Sequence, residues 1–421
     1  MEKIIIEGKK RLSGEITVGG AKNAVLPIMA ACILNDGENT ISNVPDLADV
    51  RTMMELLETL GARCEYTDGE LLVDSSTIDH YKAPYDLVKT MRASVLVLGP
   101  LVARFKKAEV SLPGGCAIGE RPIDQHIKGL RILGTSVRLE DGYVSAAAEK
   151  LEGTTVPFDL STVTGTENIM LLASLCKGET VILNAACEPE VVDLANALNL
   201  MGAEIEGAGT DIITITGASS LGPLKDYRVM PDRIEAGTLM IAGALNESDL
   251  TIRNCRFEHL GALTGKLLQT GTEIEKNGNS IRVRGTGEIR SIDFSTLPYP
   301  GFPTDMQAQM MILMCVADGM SVITENIFPQ RFMHTAELRR MGADIKLVGN
   351  SAVVRGVREI RGAPIMASDL RASASLVLAG LCGAGKTEVS RIYHLDRGYE
   401  KLDEKLRSVG ASIWRDRKSV V

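Results

Sequence analysis

The chain has 421 residues, 45% of them hydrophobic and 24% charged, so it is long enough to form two ordinary domain cores. Its net charge is −8 and only 4% of its residues are aromatic, which argues against nucleic acids or anionic membrane surfaces as partners. No stretch reaches the roughly 18 uncharged residues of a membrane span, and the amino terminus lacks the apolar core of a signal peptide. We therefore expect a cytoplasmic protein with no membrane insertion, no nucleic-acid partner and no obligate protein partner.

The cysteines and histidines do not follow the patterns typical of disulfides or metal sites. The eight cysteines lie far apart without a Cys-x-x-Cys pair, which favours a reducing compartment over a disulfide framework or a thiolate metal site. The five histidines lack the spacing of a ligand pair, so we expect neither a metal nor another cofactor. The cysteines are Cys32, Cys64, Cys116, Cys176, Cys187, Cys255, Cys315 and Cys382.

A short pattern, Leu-x-x-x-Gly-Ala or a weaker form of it, recurs six times along the chain. Successive glycines of the pattern are 68 to 73 residues apart, so six repeated units of about 70 residues fill the chain. A glycine just past a helix end stops the helix in the left-handed conformation, and alternating strand-like residues follow each time. The six glycines are Gly61, Gly134, Gly202, Gly271, Gly342 and Gly410.

Each unit also contains a helix that is apolar on nearly every face, and such helices are buried. The order within a unit is therefore strand, buried helix, strand, surface helix, strand, strand, which predicts an α/β fold. Three units that close around their buried helices make one domain, so we predict two domains. These are residues 22–229, with a lid loop at Cys116, and residues 1–21 plus 230–421. The buried helices are predicted at 24–34, 93–103, 169–176, 237–245, 306–317 and 372–381.

Polar residues recur where these buried helices begin, although a buried helix does not need them. The free amide groups and the dipole of a helix amino terminus favour anions, so these ends predict an anion-binding site in the cleft between the domains. For Asp305, helix capping is an alternative role. The residues are Lys22, Asn23, Arg92, Glu167, Asn168, Arg233, Glu235, Asp305, Asp369 and Arg371.

The stretch from Ser111 to Pro122 has the composition of a movable loop, with three glycines, Cys116 and Arg121. A thiol near a cation is more readily deprotonated, so Cys116 could donate a proton or be alkylated. The alternative is that Cys116 is a small buried hydrophobic residue, as most free cysteines are.

Residues 380–387 match the Gly-x-x-x-x-Gly-Lys-Thr phosphate-loop pattern. That loop works only with a strand before it and a helix after it. Here the order is reversed, because the sixth buried helix precedes the pattern and a strand at 387–391 follows it. The surrounding sequence therefore argues against a nucleotide hydrolase.

Several motifs resemble the enolpyruvyl transferase family, and within it the UDP-N-acetylglucosamine 1-carboxyvinyltransferases, over the full chain. The resemblance implies a two-domain inside-out α/β barrel. It also implies transfer of enolpyruvate from phosphoenolpyruvate to the 3′-hydroxyl of UDP-N-acetylglucosamine, with release of phosphate through a tetrahedral intermediate. That reaction is the first committed step of peptidoglycan synthesis and so serves cell-wall biogenesis and division. The motifs are Gly-Ala-Lys-Asn at 20–23, Lys-Thr-Met-Arg-Ala-Ser at 89–94, Leu-Pro-Gly-Gly-Cys at 112–116, Pro-Thr-Asp-Met-Gln-Ala-Gln at 303–309, Arg-Phe-Met-His at 331–334, Asp-Leu-Arg-Ala-Ser-Ala at 369–374 and Asp-Arg-Gly-Tyr-Glu at 396–400.

The resemblance also implies roles for individual residues. Cys116 is the general acid, the thiol alkylated by fosfomycin and a site of covalent adduct formation with phosphoenolpyruvate. Asp305 contacts the sugar hydroxyl, either as base or as hydrogen-bond anchor, and Lys22 and Arg397 complete the catalytic set. Phosphoenolpyruvate is bound by Lys22, Asn23, Arg121, Arg331, Arg371 and Arg397. UDP-N-acetylglucosamine is bound by Asn23, Arg92, Arg121, Pro122, Ile123, Asp124, Gln125, Thr162, Val163, Thr164, Asp305 and Ile327.

The segment 162–168 departs from the commoner Ser-Val-Gly-Ala-Thr form, which leaves its exact contacts open. Two other functions also stay open. The related shikimate-pathway enolpyruvyl transferase lacks a cysteine loop like that of Cys116. A non-catalytic binding paralogue is expected to lose Cys116, Lys22 or Asp305, all of which this chain retains.

Overall fold

The computed structural model of the protein describes residues 2–89, 91–112 and 123–417. Of the predicted site residues, Cys116, Arg121 and Pro122 lie outside this part of the chain, and the side chain of Arg92 is likewise not described. By their contacts the described residues divide into two compact units. The first unit runs from Gly20 to Met230, and the second comprises the chain up to Gly19 and from Pro231 onward.

The first unit contains three repeats. The first repeat has α1 (Lys22–Ala31), β3 (Glu38–Ser42), α2 (Ala48–Thr59), β4 (Arg63–Thr67) and β5 (Glu70–Asp74). The second has β6 (Lys82–Ala83), α3 (Tyr85–Val88), α4 (Leu98–Phe105), β7 (Lys107–Ser111), α5 (Asp124–Ile132), β8 (Ser136–Glu140) and β9 (Tyr143–Ala147). The third has β10 (Thr155–Pro157), α6 (Val163–Ala173), β11 (Glu179–Leu183), α7 (Pro189–Met201), β12 (Glu204–Glu206), β13 (Ile212–Thr216) and β14 (Tyr227–Arg228).

The second unit begins with the first two strands of the chain and continues with three more repeats. Those strands are β1 (Lys3–Glu7) and β2 (Ser13–Thr17). The fourth repeat has α8 (Arg233–Ala244), β15 (Asp249–Arg253), α9 (Gly261–Gln269), β16 (Glu273–Asn277) and β17 (Ser280–Arg284). The fifth has β18 (Phe294–Ser295), α10 (Gln307–Cys315), β19 (Met320–Thr324), α11 (His334–Arg340), β20 (Asp344–Val348) and β21 (Ser351–Arg355). The sixth has β22 (Pro364–Met366), α12 (Leu370–Cys382), β23 (Lys386–Ser390), α13 (Leu402–Ser408) and β24 (Ser412–Asp416). Short 3₁₀ helices span Cys32–Leu34, Arg92–Val97, Phe257–Leu260, Thr304–Met306 and Ile392–Arg397.

The strands of the described residues form six four-stranded sheets that share one topology. In the third repeat, for example, β10 runs parallel to β11, which is antiparallel to β13, which in turn is antiparallel to β12. The first two strands of the chain complete sheets of the second unit. Strand β1 lies between β23 and β24, and β2 pairs with β15. The repeated α/β fold predicted from the sequence is confirmed.

The core of each unit is built on its apolar helices, as the absence of a polar face predicts. In α1 every residue except Asn23 is buried, and in α12 every residue except Leu370 is buried. Within the first unit α4 packs on α6, and within the second α10 packs on α12. Among the described residues, no helix is both long and apolar enough to cross a membrane.

Three predicted buried helices start at least four residues away from the position that the apolar pattern indicates. One of them, predicted at 237–245, is α8, which begins at Arg233 because the Asp232 side chain caps it. The predicted helix 93–103 is a 3₁₀ helix over Arg92–Val97 followed by α4 from Leu98. Pro100 explains this break, because proline has no N–H to donate and is tolerated only in the first turn of an α-helix. The predicted helix 169–176 instead begins at Val163, because the hydroxyl of Thr162 accepts a hydrogen bond from the Gly165 amide and caps it.

All six glycine markers end their helices in the predicted way. Their φ angles lie between 94° and 108°, in the left-handed region that favours glycine. In each case the residue after the glycine donates its N–H to the carbonyl of the marker leucine five positions earlier, as Ala343 does to Leu338. This bond is typical of a Schellman motif and links each surface helix to the strand that follows.

The phosphate-loop pattern at 380–387 lies on a helix, a turn and a strand, in that order. Helix α12 extends to Cys382, Gly385 makes the turn with φ 88°, and β23 starts at Lys386. Lys386 Nζ pairs with Glu388, two residues along the same strand. The order needed for a phosphate loop is absent here, as the sequence predicted.

Replacing Gly342 by alanine should lower the thermal unfolding midpoint. The φ of 95° costs an alanine about 1–2 kcal/mol, and nothing described lies within 4 Å of the added methyl group to compensate. The matched control is Gly265→Ala inside α9, where space is also open and the helical backbone gains roughly 0.5–1 kcal/mol. Equal shifts of the two variants in the same direction would contradict this explanation of the marker.

Candidate active site

In the second unit, Asp305 is held by two arginines that are distant in sequence. Its Oδ1 accepts a hydrogen bond from Arg331 Nη1 at 2.8 Å, and its Oδ2 accepts one from Arg371 Nε at 3.1 Å. The side chains of Arg331 and Arg371 are only 7% and 2% exposed, whereas that of Asp305 is 25% exposed. The carboxylate is therefore the most accessible part of a largely buried ion cluster, and it does not cap α10.

Arg371 gets its position from the start of α12 and from an aromatic ring. Asp369 caps this helix by accepting hydrogen bonds from the amides of Arg371 and Ala372. The guanidinium lies 5.3 Å from the centroid of the Tyr399 ring, a cation–π distance. Burial by itself lowers the pKa of Arg371, but the neighbouring Asp305 carboxylate raises it above its ordinary value. Arg371 is thus a permanently charged group inside the protein.

The backbone of Asp305 is also fixed. Gln309 Nε2 donates to the Asp305 carbonyl at 2.9 Å and to the Tyr399 hydroxyl at 3.2 Å. That hydroxyl lies 2.9 Å from Thr238 Oγ1 on α8. Helices α8, α10 and the segment that follows α12 are therefore joined by one buried polar network beneath Asp305.

The other predicted residues of the second unit are Arg397 and Ile327. Arg397 ends the 3₁₀ helix Ile392–Arg397 and is half-buried. The preceding residue, Asp396, is anchored by Arg415 Nη2 at 2.7 Å. Ile327 donates its backbone N–H to Glu325 Oε1 at 2.9 Å. The structure thus brings Arg331 and Arg371 into contact with Asp305, whereas Ile327 is held by Glu325 and Arg397 follows the anchored Asp396.

In the first unit, Lys22 is the first residue of α1 and forms a buried ion pair. Its Nζ lies 2.5 Å from Asp49 Oδ2 in the first turn of α2, and both side chains are largely buried. A buried lysine needs such a partner, because an unpaired charge is costly to remove from water. Asn23 follows at a half-buried position. The sequence analysis missed Asp49, because its type and position are equally typical of an ordinary helix start.

Gln125 and Asp124 start α5 in the first unit. Gln125 is buried, its Oε1 accepts from the Asp159 backbone amide at 3.0 Å, and its Nε2 donates to Asp124 Oδ2 at 2.9 Å. Ile123 precedes this helix at a half-buried position. Gln125 therefore ties the start of α5 to the end of β10, close to the segment that begins α6.

The predicted residues Thr162, Val163 and Thr164 form the first turn of α6 with its cap. Thr164 Oγ1 lies 3.3 Å from Nε2 of His126, and Asn168 Nδ2 lies 3.0 Å from His126 Nδ1. Burial lowers the pKa of His126 to about 4, so the ring is neutral at pH 7. The sequence analysis noted Asn168 but missed His126, since a lone histidine carries no spacing signal.

Of the eight cysteines, Cys116 lies outside the described residues. Seven are free thiols, of which only Cys64 and Cys187 are half-buried rather than buried. Burial raises the pKa of Cys176 to about 12 and that of Cys382 to about 11. Within the described ranges, no group of three or more His, Cys, Asp or Glu side chains could hold a metal ion.

Comparison with known proteins identifies the family to which the chain belongs. The family model described as EPSP synthase (3-phosphoshikimate 1-carboxyvinyltransferase) matches residues 6–406. Among solved structures, the enolpyruvyl transferase NikO from Streptomyces tendae is 27% identical, with a TM-score of 0.89 over 98% of each chain. EPSP synthase from Acinetobacter baumannii, at 19% identity and a TM-score of 0.76, covers 99% of this chain and all of its own, and supports the fold. The chain belongs to the enolpyruvyl transferase family.

Curated relatives give a finer result. Proteins from Geotalea uraniireducens (strain Rf4) and Trichlorobacter lovleyi are 57% and 58% identical, with 99% of each chain covered. Both are named UDP-N-acetylglucosamine 1-carboxyvinyltransferase, as is the relative from Desulfatibacillum aliphaticivorans at 55% identity. The resemblance identified from the motifs is thereby confirmed.

Glu167 lies in α6 between Thr164 and Asn168, and its protonation state can be tested through the pH dependence of stability. Burial, with Glu190 and Glu188 nearby, raises the pKa of Glu167 well above its ordinary value of 4.5. Folding then favours the protonated form, so this stabilisation is present below about pH 4.5 and is lost as the pH rises through the folded pKa.

Glu167→Gln, which is neutral at every pH, should therefore raise the thermal unfolding midpoint relative to the unchanged protein more at pH 8 than at pH 5. The exposed Glu179→Gln in the same unit is the control and should show no such pH dependence. An equal effect of Glu167→Gln at both pH values would contradict the assignment of a protonated Glu167.

Proposed function

We propose that this protein transfers enolpyruvate from phosphoenolpyruvate to the 3′-hydroxyl of UDP-N-acetylglucosamine and releases phosphate. The observation that carries the proposal is the Asp305 carboxylate, partly exposed and held between two buried guanidinium groups. The names of relatives 55–58% identical over nearly the whole chain support the choice of sugar nucleotide. Such an enzyme acts where peptidoglycan precursors are made, which supports a cytoplasmic location.

Phosphoenolpyruvate carries a phosphate and a carboxylate, so its site needs cations that keep their charge. Arg331 and Arg371 meet this need, because arginine does not lose its proton in proteins. In our proposal Lys22, with Asn23, Arg121 and Arg397, completes the set that binds the two anionic groups. The ion pair with Asp49 orients the Lys22 side chain at the start of α1. Arginine in particular can bind phosphate or carboxylate oxygens through two parallel hydrogen bonds.

Asp305 is proposed to receive the 3′-hydroxyl of the sugar. Contacts with two guanidinium groups stabilise the anionic carboxylate, which is then a strong hydrogen-bond acceptor. This favours Asp305 first as the group that orients the hydroxyl. Removal of the hydroxyl proton follows as the oxygen attacks the enolpyruvyl carbon, because the hydroxyl then becomes more acidic.

The nucleotide part is proposed to lie against the starts of α5 and α6. The first turn of α6, with Thr162, Val163 and Thr164, offers free backbone amides of the kind that bind phosphate oxygens. Asp124 and Gln125 are fixed near it by hydrogen bonds to each other and to Asp159. Arg92, Arg121, Pro122, Ile123 and Ile327 are proposed to complete this set.

Cys116 is proposed as the general acid that protonates the methylene carbon of phosphoenolpyruvate. The proton goes to carbon as the sugar oxygen adds to the neighbouring carbon. The tetrahedral intermediate then loses phosphate together with a proton from its new methyl group, which restores the carbon–carbon double bond. The addition step therefore needs one proton from an acid and the transfer of another to a base, and Cys116 and Asp305 supply the two group types.

The first test is release of inorganic phosphate from phosphoenolpyruvate with UDP-N-acetylglucosamine in one sample and shikimate 3-phosphate in another. We expect release only with the sugar nucleotide, and a fall of about 100-fold or more in Cys116→Ser, in line with the loss of a general acid. Cys187→Ser is the control, because Cys187 is also partly accessible but is not one of the proposed site residues. Release with shikimate 3-phosphate alone would overturn the choice of substrate, and no release with either would favour a binding protein.

Fosfomycin-type epoxides should alkylate one thiol per chain, at Cys116. The buried thiols compete poorly, because burial raises their pKa and the thiolate is the nucleophile. Mass spectrometry of the intact protein after incubation should show a single adduct that is absent in Cys116→Ser and retained in Cys187→Ser. An adduct that persists in Cys116→Ser would assign the reactive thiol elsewhere.

A further inference from the structure

Glu325, the residue that follows β19, is a carboxylate with no solvent exposure. Burying a carboxylate is costly unless its oxygens receive hydrogen bonds, so its surroundings need an explanation. Glu325 is not among the residues that the family motifs in the sequence bring forward. It lies between two segments that do carry predicted site residues, Thr304–Met306 with Asp305 and the stretch with Ile327.

Both oxygens of Glu325 receive hydrogen bonds from these segments. Oε1 accepts from the backbone amides of Ile327 at 2.9 Å and Phe328 at 3.0 Å, and from Thr296 Oγ1 at 2.7 Å. Oε2 accepts from Thr304 Oγ1 at 3.0 Å. One buried side chain therefore joins β18, the residues before α10 and the loop after β19.

The direction of the Thr304 bond follows from its other partner. Arg331 Nη1 can only donate, and it donates to Thr304 Oγ1 at 3.0 Å and to Asp305 Oδ1 at 2.8 Å. The hydroxyl proton of Thr304 is therefore left for Glu325. Both hydrogens of Arg331 Nη1 are thus used, one on Thr304 and one on the carboxylate of Asp305.

We propose that Glu325 is a positioning residue for the transfer reaction, acting through Thr304 and Arg331 to fix the orientation of Asp305. The chain of bonds runs from Glu325 Oε2 through the Thr304 hydroxyl and Arg331 Nη1 to Asp305 Oδ1. The same carboxylate fixes the backbone at Ile327 through Oε1. Glu325 therefore sets two of the proposed sugar-nucleotide contacts without touching substrate. This inference rests on the proposed function of Asp305.

Glu325→Gln tests the bond from Oε2 to Thr304 separately from the bonds that Oε1 accepts from Ile327, Phe328 and Thr296. Three donors converge on Oε1, so the amide oxygen should occupy that place and keep the bonds to Ile327, Phe328 and Thr296. The amide NH₂ then faces Thr304 Oγ1, which already accepts from Arg331 and can no longer donate to residue 325. We expect kcat to fall about 10- to 100-fold, because small misplacements of reacting groups are costly, while the KM for UDP-N-acetylglucosamine changes less than about threefold.

Thr304→Val and Thr296→Val form a matched pair, because both hydroxyls donate to the same carboxylate but only that of Thr304 also contacts Arg331. Both variants should lose thermal stability, as removal of a buried hydrogen bond requires. Only Thr304→Val should show the fall in kcat, and Thr304→Ser, which restores the hydroxyl, should recover most of it. These two threonine variants test the positioning role of Glu325 even if Glu325→Gln does not fold.

The outcomes distinguish this inference from the proposed function. If the unchanged protein releases phosphate with the sugar nucleotide, yet Glu325→Gln and Thr304→Val both keep its kcat, Glu325 is only structural and the inference is wrong. The inference is also overturned if Thr296→Val lowers kcat as much as Thr304→Val. If the unchanged protein releases no phosphate with either acceptor, the proposed function itself fails.

Discussion

A helix that is apolar on every face must be surrounded on every side, and this constraint shapes the protein. One four-stranded sheet with its surface helix can cover only part of such a helix, so three repeats share the task in each unit. The six repeats differ in sequence but share the elements that bury these helices. These are the buried helix, the parallel strand pair and the glycine that ends the surface helix.

The same constraint determines where charged groups can lie. The bodies of the buried helices accept few polar side chains, so polar residues concentrate at their amino-terminal ends. There they need partners, because isolated charges are costly inside a protein. Lys22 pairs with Asp49, and Glu235 pairs with Lys405 at 2.5 Å. Burial raises the pKa of Glu235, and the positive charge of Lys405 opposes this effect. The ion pair thus offsets part of the cost of burying the Glu235 carboxylate.

The Asp305 cluster shows how this arrangement serves chemistry. Two arginines fix one carboxylate, and Glu325, Thr304, Gln309 and Tyr399 fix in turn the groups that hold it. A group held by several partners needs little reorganisation when substrate arrives, which is the usual requirement for positioning and electrostatic stabilisation. The repeats thus supply a rigid frame, while differences between repeats at the helix starts supply the chemistry.

The sequence alone determined the six repeats, the burial of one helix in each, the helix ends at glycine and the family. The repeats, the buried helices and the helix ends follow from the spacing and periodicity of residues along the chain, whereas the family was implied by the resemblance of the motifs. It also named Asp305, Arg331 and Arg371 as members of one site through the family motifs.

Only the tertiary structure decided the partners of these residues. Arg371 and Asp305 are 66 residues apart in sequence, and Thr296 and Glu325 are 29 apart. Asp49, His126 and Glu325 carry no local signal, because each is an ordinary residue type at an ordinary position. Their roles arise from packing between elements that the chain brings together only when it folds, and spacing along the sequence does not encode that packing.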